Sequence, residues 1–186
     1  MKKPSIQQID DFFPQELAEY ISKYALFEAG YRYGESDDQG LPTGMVCDLY
    51  HVDSSETGSI SEEGNAIYNA FVKHIHEKYP GFWDTYRIYR LYINVFCPKE
   101  MAFFHEDADP DTDQWTFLYY PMHDFEWKME QGGWTEFWLD NKIIGVPPFA
   151  NSLVRFSSEI THRATPFRDH HRMTIAIKVA NKDERL

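Results

Sequence analysis

The sequence predicts a mostly β, α+β fold in which two N-terminal helices pack on one face of a C-terminal antiparallel β-sandwich or barrel. Two patterns along the 186 residues support this prediction. Apolar residues recur at helical spacing in the first half of the chain, whereas short β-rich runs between turn signals fill the second half. The chain is long enough to bury about 70% of its unfolded surface, which favours one core and one domain.

The two helices are predicted from apolar spacing and from the signals at their ends. The first covers residues 14–28, where Pro14 suits a first helical turn because its missing N–H costs nothing there. The second covers residues 61–79, with Ser61 as the N-cap. These two segments form the helical layer of the predicted fold.

The strands are predicted from β-rich runs bounded by turn residues. An extended segment at residues 45–52, between the helices, is predicted to add an edge strand. The runs in the second half cover residues 86–96, 115–120, 134–139, 142–146, 152–156 and 173–179. Many short strands at regular spacing are typical of a sandwich or barrel.

Composition excludes several classes of protein. The 30 acidic and 18 basic side chains give a net charge of −12, which repels phosphate backbones and anionic lipid and disfavours a nucleic-acid partner. Cys47 and Cys97 form neither a disulfide framework nor a zinc motif, so a reducing, cytoplasmic setting is expected. We expect no signal peptide and no membrane span, since no long apolar run is present. The sequence does not predict the oligomeric state.

Two H-x-D triplets are candidates for metal binding, because residues two apart in an extended chain point to the same side. They are His105 with Asp107 and His51 with Asp53. Only the first triplet is followed by a strand, a Gly-Gly pair and a further histidine, His162. The second leads into a polar loop, so we interpret it as a solvated turn.

Two histidines and one carboxylate on a β-sandwich can hold Fe(II) on one face of an octahedron and leave three positions open. His105, Asp107 and His162 are the predicted ligands. A 2-oxo acid can occupy two of the open positions and O₂ the third. Arg172 is predicted to bind the distal carboxylate of that co-substrate, because a guanidinium pairs bidentately with a carboxylate. Thr174 faces the same side of the strand and can donate its hydroxyl to the same group.

The stretch from residue 86 to residue 179 resembles the 2-oxoglutarate and Fe(II)-dependent dioxygenases, and within them the prolyl 4-hydroxylase-like branch. The shared order is H-x-D, a strand, Gly-Gly-x-Thr, a strand, His, and a basic residue ten positions later. The segment IDDFFP at residues 9–14 is also similar to the approach to the first helix in that branch. The resemblance implies a double-stranded β-helix, or jelly roll, with N-terminal helices packed on one sheet. It also implies iron at the three predicted ligands and 2-oxoglutarate at Arg172.

Under this resemblance, residues 1–186 form a single Fe(II)/2-oxoglutarate dioxygenase domain. A helical N-terminal support covers residues 1–85, and the jelly-roll core covers residues 86–180. Two polar segments rich in Gly or Asp, residues 31–41 and 107–114, are predicted to close over the site as lids.

The sequence departs from the family pattern nine positions before the first histidine. The family usually has there a tyrosine that bonds 2-oxoglutarate, whereas Phe96 has no hydroxyl. Asn94 matches an asparagine of the alkylation-repair branch, and Tyr120 matches a tyrosine of the oxygen-sensing hydroxylases. We expect Asn94 and Tyr120 to share the missing hydrogen bond, and the sequence does not say which replaces it. Arg172 stands where the branch often has lysine, which retains the positive charge.

The resemblance implies an oxygenase that couples oxidative decarboxylation of 2-oxoglutarate, giving succinate and CO₂, to hydroxylation of an unactivated C–H bond. It suggests a prolyl residue of a peptide or protein as the substrate, by analogy alone. Three alternatives stay open: a small-molecule hydroxylase, a demethylase of alkylated nucleic acid, and a non-oxidative metal-binding jelly roll. The demethylase is opposed by the net charge of −12 and by the lack of that branch's second arginine.

Overall fold

The structure, a computed structural model, describes residues 6–35, 44–52 and 58–184. Its helices are α1 (Gln15–Lys23), α2 (Glu62–Lys78) and α3 (Phe82–Thr85). Its strands are β1 (Ile6–Ile9), β2 (Arg32–Glu35), β3 (Gly44–Val52), β4 (Gly58–Ile60), β5 (Tyr86–Phe96), β6 (Gln114–Tyr119), β7 (Thr135–Leu139), β8 (Lys142–Val146), β9 (Leu153–Ser157), β10 (His162–Ala164) and β11 (Arg172–Asn181). A π-helical turn at Tyr24–Glu28 continues α1, and a 3₁₀ turn at Met129–Gln131 precedes β7.

The strands form two antiparallel sheets. The large sheet has the order β1-β9-β6-β11-β5-β3-β2, with β4 paired to β3, and the small sheet has the order β10-β7-β8. Strand β11 lies between β6 and β5, so both of its edges are paired. Because side chains alternate along a strand, β11 presents one set of residues to each face of the large sheet.

The helices cover one face of the large sheet, as the sequence predicted. Ile175 and Ile177 of β11 pack there in one core with Phe71 and Ile75 of α2. A second core lies between the sheets and joins Phe137 of the small sheet to strand β9 of the large one. The protein is therefore a jelly roll with a helical layer on one side and a space between the two sheets on the other.

The helix ends follow local chemistry. Helix α2 begins after Ser61, whose Oγ accepts a hydrogen bond of 2.9 Å from the backbone N–H of Gly64. Helix α1 begins after Pro14, which confirms the predicted start, and ends at Lys23 where the π-helical turn takes over. Within the described ranges, no helix has the length and apolar character needed to cross a membrane.

The N-terminal part departs from the prediction in two ways. Residues 45–52, predicted to form an edge strand, lie in β3. This strand is interior to the sheet, because it pairs with β5 on one side and with β2 on the other. The predicted helical support, residues 1–85, also supplies four strands to the large sheet. Strands β1, β2 and β4 have at most four residues, so a backbone ladder forms there without an apolar pattern that sequence reading could detect.

Asn151 connects the N-terminal segment to the large sheet through side-chain hydrogen bonds. Its Oδ1 accepts hydrogen bonds from the backbone N–H of Phe13 at 3.0 Å and from the hydroxyl of Tyr119 at 3.1 Å. Its Nδ2 donates to the carbonyl of Phe13 at 2.8 Å. Asn151 is buried, so no water would take over its hydrogen bonds to these groups if the side chain were removed.

The exchange Asn151→Ala is expected to lower the free energy of unfolding by about 3 kcal/mol or more, because it leaves buried backbone groups and a hydroxyl unpaired. Denaturant unfolding measures this loss. Asn141→Ala is the matched control, since Asn141 also has a left-handed φ, of 59° against 55° at Asn151, but is exposed. The control should lose only about 1 kcal/mol of backbone conformational energy, and equal losses in the two variants would contradict the assignment.

Candidate active site

The two predicted histidine ligands are brought together by the backbone. The N–H of His105 donates to the carbonyl of His162 at 3.0 Å, and the N–H of His162 donates back to His105 at 2.9 Å. This bridge places the two ring centroids 4.6 Å apart. The backbone of Asp107 is held by Ser158, whose carbonyl accepts its N–H at 2.8 Å. As a result, one ligand atom from each of His105, Asp107 and His162 lies within 4.8 Å of the other two.

Local hydrogen bonds fix the tautomer of both histidines. Nδ1 of His105 lies 3.0 Å from the carbonyl of Phe103, and Nδ1 of His162 lies 2.8 Å from the carbonyl of Ile160. A carbonyl can only accept, so each Nδ1 carries the proton and each Nε2 offers a lone pair. The Nε2 atoms lie 3.7 and 3.5 Å from the carboxylate of Asp107, in a geometry suited to sharing one metal ion.

His162 is neutral at neutral pH. Burial lowers its pKa to about 4, although the charge of Asp107 opposes the shift. The rings of Phe156 and Phe137 pack against the imidazole, with centroids 4.6 and 5.9 Å away. A neutral imidazole is the form that binds a metal ion.

Asp107 is ionised although its side chain is only 9% exposed. Burial alone would raise the pKa of Asp107, but the positive charge of Lys178 and the hydrogen bond from Thr116 hold it below its usual range. Thr116 Oγ1 donates to Oδ2 at 2.7 Å, and Lys178 forms an ion pair with the same oxygen. Oδ1 therefore remains the carboxylate oxygen best placed to bind a metal.

A cavity of about 360 Å³ between the sheets connects this triad to Arg172. Arg172 is buried, and it donates from Nε to the carbonyl of Gly133 at 3.2 Å and from Nη2 to Thr135 Oγ1 at 2.7 Å. In the part of the chain that the structure describes, no acidic side chain forms an ion pair with it. Burial accordingly lowers the pKa of Arg172, with partial opposition from Tyr120. The cavity thus contains a buried cation that lacks an anionic partner.

The Gly-Gly pair shapes the binding pocket of Arg172. Gly133 has a φ of 80°, and a Cβ built there would lie 2.5 Å from the ring of Phe167. Its N–H donates to the carbonyl of Pro166 at 2.9 Å. Glycine is required at this position both by backbone conformation and by the close approach of the ring, and it orients the carbonyl that Arg172 binds.

The other predicted co-substrate residues occupy different depths. Thr174 and Asn94 face each other across β11 and β5, and both line the cavity. The amide oxygen of Asn94 is buried without a hydrogen-bond partner. Tyr120 lies behind the cavity lining, and its hydroxyl is 2.6 Å from Thr135 Oγ1. Asn94 therefore presents its amide directly to the cavity, whereas Tyr120 lies behind the lining and beside Arg172, whose guanidinium carbon is 5.7 Å from the centre of the Tyr120 ring.

The remaining predictions have mixed outcomes. His51 is exposed on β3, and Asp53 lies outside the described residues, as does the 36–41 part of the first predicted lid. The far end of the second segment, residues 107–114, is anchored because the hydroxyl of Tyr86 donates to Asp113 at 2.9 Å. Closure of either segment over the site stays a prediction.

Lys178 is a site residue that the sequence reading missed. It is buried in the cavity, on the same face of β11 as Arg172 and Thr174. The signal was present, because the alternation that places residues 172 and 174 on the cavity face also places residue 178 there. A lysine in a buried strand calls for a partner, and Asp107 is that partner.

No family model and no curated protein matches this sequence. Solved structures do match its fold. A prolyl-4-hydroxylase from Pseudomonas putida is 17% identical, with a TM-score of 0.69 over 97% of this chain and 94% of that one. A 2OG-Fe(II) oxygenase family protein from Burkholderia pseudomallei is 15% identical, with a TM-score of 0.71 over 94% of this chain and 84% of that one.

A third similar structure is a prolyl hydroxylase from Trichoplax adhaerens in complex with a hypoxia inducible factor peptide fragment. It is 14% identical, with a TM-score of 0.64 over 95% of this chain and 82% of that one. At such identities the comparisons establish the fold and leave the chemistry to the site. The chain has the jelly-roll fold of the prolyl hydroxylases and 2OG-Fe(II) oxygenases, as its sequence resemblance implied.

Proposed function

We propose that this protein is an Fe(II)- and 2-oxoglutarate-dependent oxygenase that hydroxylates an unactivated C–H bond of a peptide or protein, with a prolyl residue as the first candidate. One observation carries the proposal. A His-Asp-His triad with both Nε2 lone pairs directed inward shares a single cavity with a buried arginine that has no counter-ion.

The residues present fit the metal. His105 and His162 would supply neutral imidazole nitrogens, and Asp107 would supply one carboxylate oxygen, which is the 2-His-1-carboxylate set of non-haem iron oxygenases. When bound with 2-oxoglutarate and O₂, the iron supplies the oxidising power for C–H cleavage, and succinate and CO₂ are released. The carbonyls that accept from the two Nδ1 atoms keep both rings oriented for ligation.

The residues around Arg172 fit the co-substrate. Arg172 would pair with the distal carboxylate of 2-oxoglutarate, because a dicarboxylate supplies the anion that the buried guanidinium lacks. Thr174 and Asn94 would hydrogen-bond it from the large sheet, and Tyr120 would steady Thr135 behind the arginine. Phe156 and Leu118 line the same cavity and would exclude water from the reacting atoms.

A peptide substrate is supported by the fold and by charge. One structure with the same fold is a prolyl hydroxylase bound to a peptide. The net charge of −12 attracts cationic chains, does not repel neutral ones and repels polyphosphates, which weighs against alkylated nucleic acid. We also propose a cytoplasmic location, since both cysteines, Cys47 and Cys97, are free thiols.

Replacing any one of His105, Asp107 and His162 with alanine should abolish Fe(II)-dependent release of succinate from 2-oxoglutarate, because each change removes one of three protein ligands. Succinate formation under air measures the effect. His51→Ala is the control, and it should retain nearly full activity. If His51→Ala is as damaging as His105→Ala, the iron is held by the other triplet.

Arg172→Ala should weaken 2-oxoglutarate binding by about 2–5 kcal/mol, since one carboxylate is then left unpaired in a closed cavity. The measurement is the KM for 2-oxoglutarate, which should rise steeply. Arg172→Lys should lose less because it retains the charge. An unchanged KM in the alanine variant would favour a non-oxidative metal-binding jelly roll.

The substrate class is tested with a panel of proline-containing peptides, free amino acids and alkylated oligonucleotides. Peptides should stimulate 2-oxoglutarate turnover most, and the product should gain the mass of one oxygen atom. Stimulation by oligonucleotides alone would identify a demethylase. Stimulation by a small molecule alone would reject the peptide substrate and leave the iron chemistry in place.

A further inference from the structure

The orientation of Arg172 depends on a short segment that begins with two glycines. The guanidinium donates from Nε to the carbonyl of Gly133 at 3.2 Å and from Nη2 to Thr135 Oγ1 at 2.7 Å. Because a guanidinium is a rigid plane, these two acceptors determine where its remaining N–H groups point. The position of the Gly133 carbonyl therefore helps to define where Arg172 can bind a carboxylate.

Two consecutive glycines do not by themselves hold a carbonyl in one place, because glycine has more backbone freedom than any other residue. Both have a left-handed φ, of 76° at Gly132 and 80° at Gly133. The residue that follows them is held by the small sheet, since the carbonyl of Trp134 accepts the backbone N–H of Thr165 at 2.9 Å. The glycine pair itself needs further contacts to become rigid.

The peptide group between Gly132 and Gly133 is held at both of its ends. Its carbonyl oxygen accepts a hydrogen bond of 2.8 Å from the indole Nε1–H of Trp127, and its N–H donates to the carbonyl of Pro166 at 2.9 Å. Among the residues that the structure describes, only Trp127 and Arg172 donate side-chain hydrogen bonds to the two glycines. Trp127 thus fixes the peptide plane that directly precedes the Gly133 carbonyl.

The ring of Trp127 is in turn held by other aromatic rings. Trp127 is half-buried, and the rings of Trp134 and Phe149 pack edge-on against it, with centroids 4.8 and 5.5 Å away. The indole nitrogen can only donate a hydrogen bond, and the orientation of the ring sets the direction of that bond. Trp127 does not line the cavity, so any effect it has on a ligand passes through Arg172.

We propose that Trp127 is a positioning residue for 2-oxoglutarate. Its hydrogen bond to the glycine pair holds the carbonyl that orients Arg172 towards the distal carboxylate of the co-substrate. This inference rests on the proposed function, because it requires a dicarboxylate at Arg172. A guanidinium that is already oriented loses less conformational freedom when the ligand binds, so the rigid turn increases affinity without contacting the ligand.

The test measures 2-oxoglutarate binding by titration calorimetry to the full chain loaded with Mn(II) in the absence of O₂, so that no turnover occurs. Trp127→Phe keeps an aromatic ring but removes the N–H. It should weaken 2-oxoglutarate binding about threefold to tenfold, the range of one neutral hydrogen bond, and leave Mn(II) affinity unchanged. Trp127→His has a nitrogen at the ring position of Nε1, so it should bind 2-oxoglutarate more tightly than Trp127→Phe although it retains less of the ring.

Trp83→Phe is the matched control for the loss of an indole hydrogen bond. Trp83 lies in α3, is also half-buried, and donates from Nε1 to the carbonyl of Val72 at the same distance of 2.8 Å. This bond belongs to the helical layer and not to the cavity. Trp83→Phe should therefore lower the melting temperature about as much as Trp127→Phe does and leave 2-oxoglutarate affinity unchanged.

A double-mutant cycle tests whether Trp127 acts through Arg172. In Arg172→Lys, no guanidinium depends on the position of the Gly133 carbonyl. Adding Trp127→Phe to this variant should therefore change 2-oxoglutarate affinity by less than about twofold, whereas independent effects would add in full.

Four results would overturn the inference. They are unchanged 2-oxoglutarate affinity in Trp127→Phe, binding by Trp127→His that is no tighter than by Trp127→Phe, an equal loss in Trp83→Phe, and a full loss from Trp127→Phe in the Arg172→Lys background. These results leave the proposed function standing as long as wild type binds Mn(II) and 2-oxoglutarate. If the Mn(II)-loaded wild type does not bind 2-oxoglutarate, the proposed function fails, and the role of Trp127 fails with it.

Discussion

The reciprocal pair of backbone hydrogen bonds between His105 and His162 is the interaction on which the site depends. Each residue donates one hydrogen bond and accepts one across the bridge. A change in the register of the two segments would therefore break both bonds. The loop that carries Asp107 follows directly, and Ser158 fixes its backbone. The triad is therefore set by the main chain, and side-chain bonds only refine the orientation of the rings.

Strand β11 then determines the electrostatics of the cavity. Side chains of β11 alternate between the apolar core beneath the helices and the polar cavity. A register slip of one residue would therefore move Arg172 and Lys178 from the cavity into the core. Pairing on both edges excludes such a slip. Strand β11 thus places two cations in the cavity: Lys178, which is paired with Asp107, and Arg172, which has no acidic partner among the described residues.

Local signals made much of this predictable from the sequence. The H-x-D spacing, the Ser61 cap and the long strand β5 depend on neighbouring residues, and the structure has them where the sequence indicated. What the sequence missed depends on distant partners. The strands of four residues or fewer exist because a neighbour offers a free edge, and β10 is one of them, held by β7. The alternation of side chains along β11 could have placed Lys178 on the cavity face. Its ion pair with Asp107 could not be predicted locally, because Asp107 lies 71 positions earlier in the chain.

The central claim is that one cavity holds a metal on the triad and a dicarboxylate on Arg172 at the same time. A crystal structure of the protein grown without oxygen in the presence of Mn(II) and 2-oxoglutarate tests it most directly. We expect one metal ion bound by Nε2 of His105, Nε2 of His162 and a carboxylate oxygen of Asp107, with the far carboxylate of 2-oxoglutarate paired to Arg172. A metal bound elsewhere, or a 2-oxoglutarate that leaves Arg172 unpaired, would contradict it.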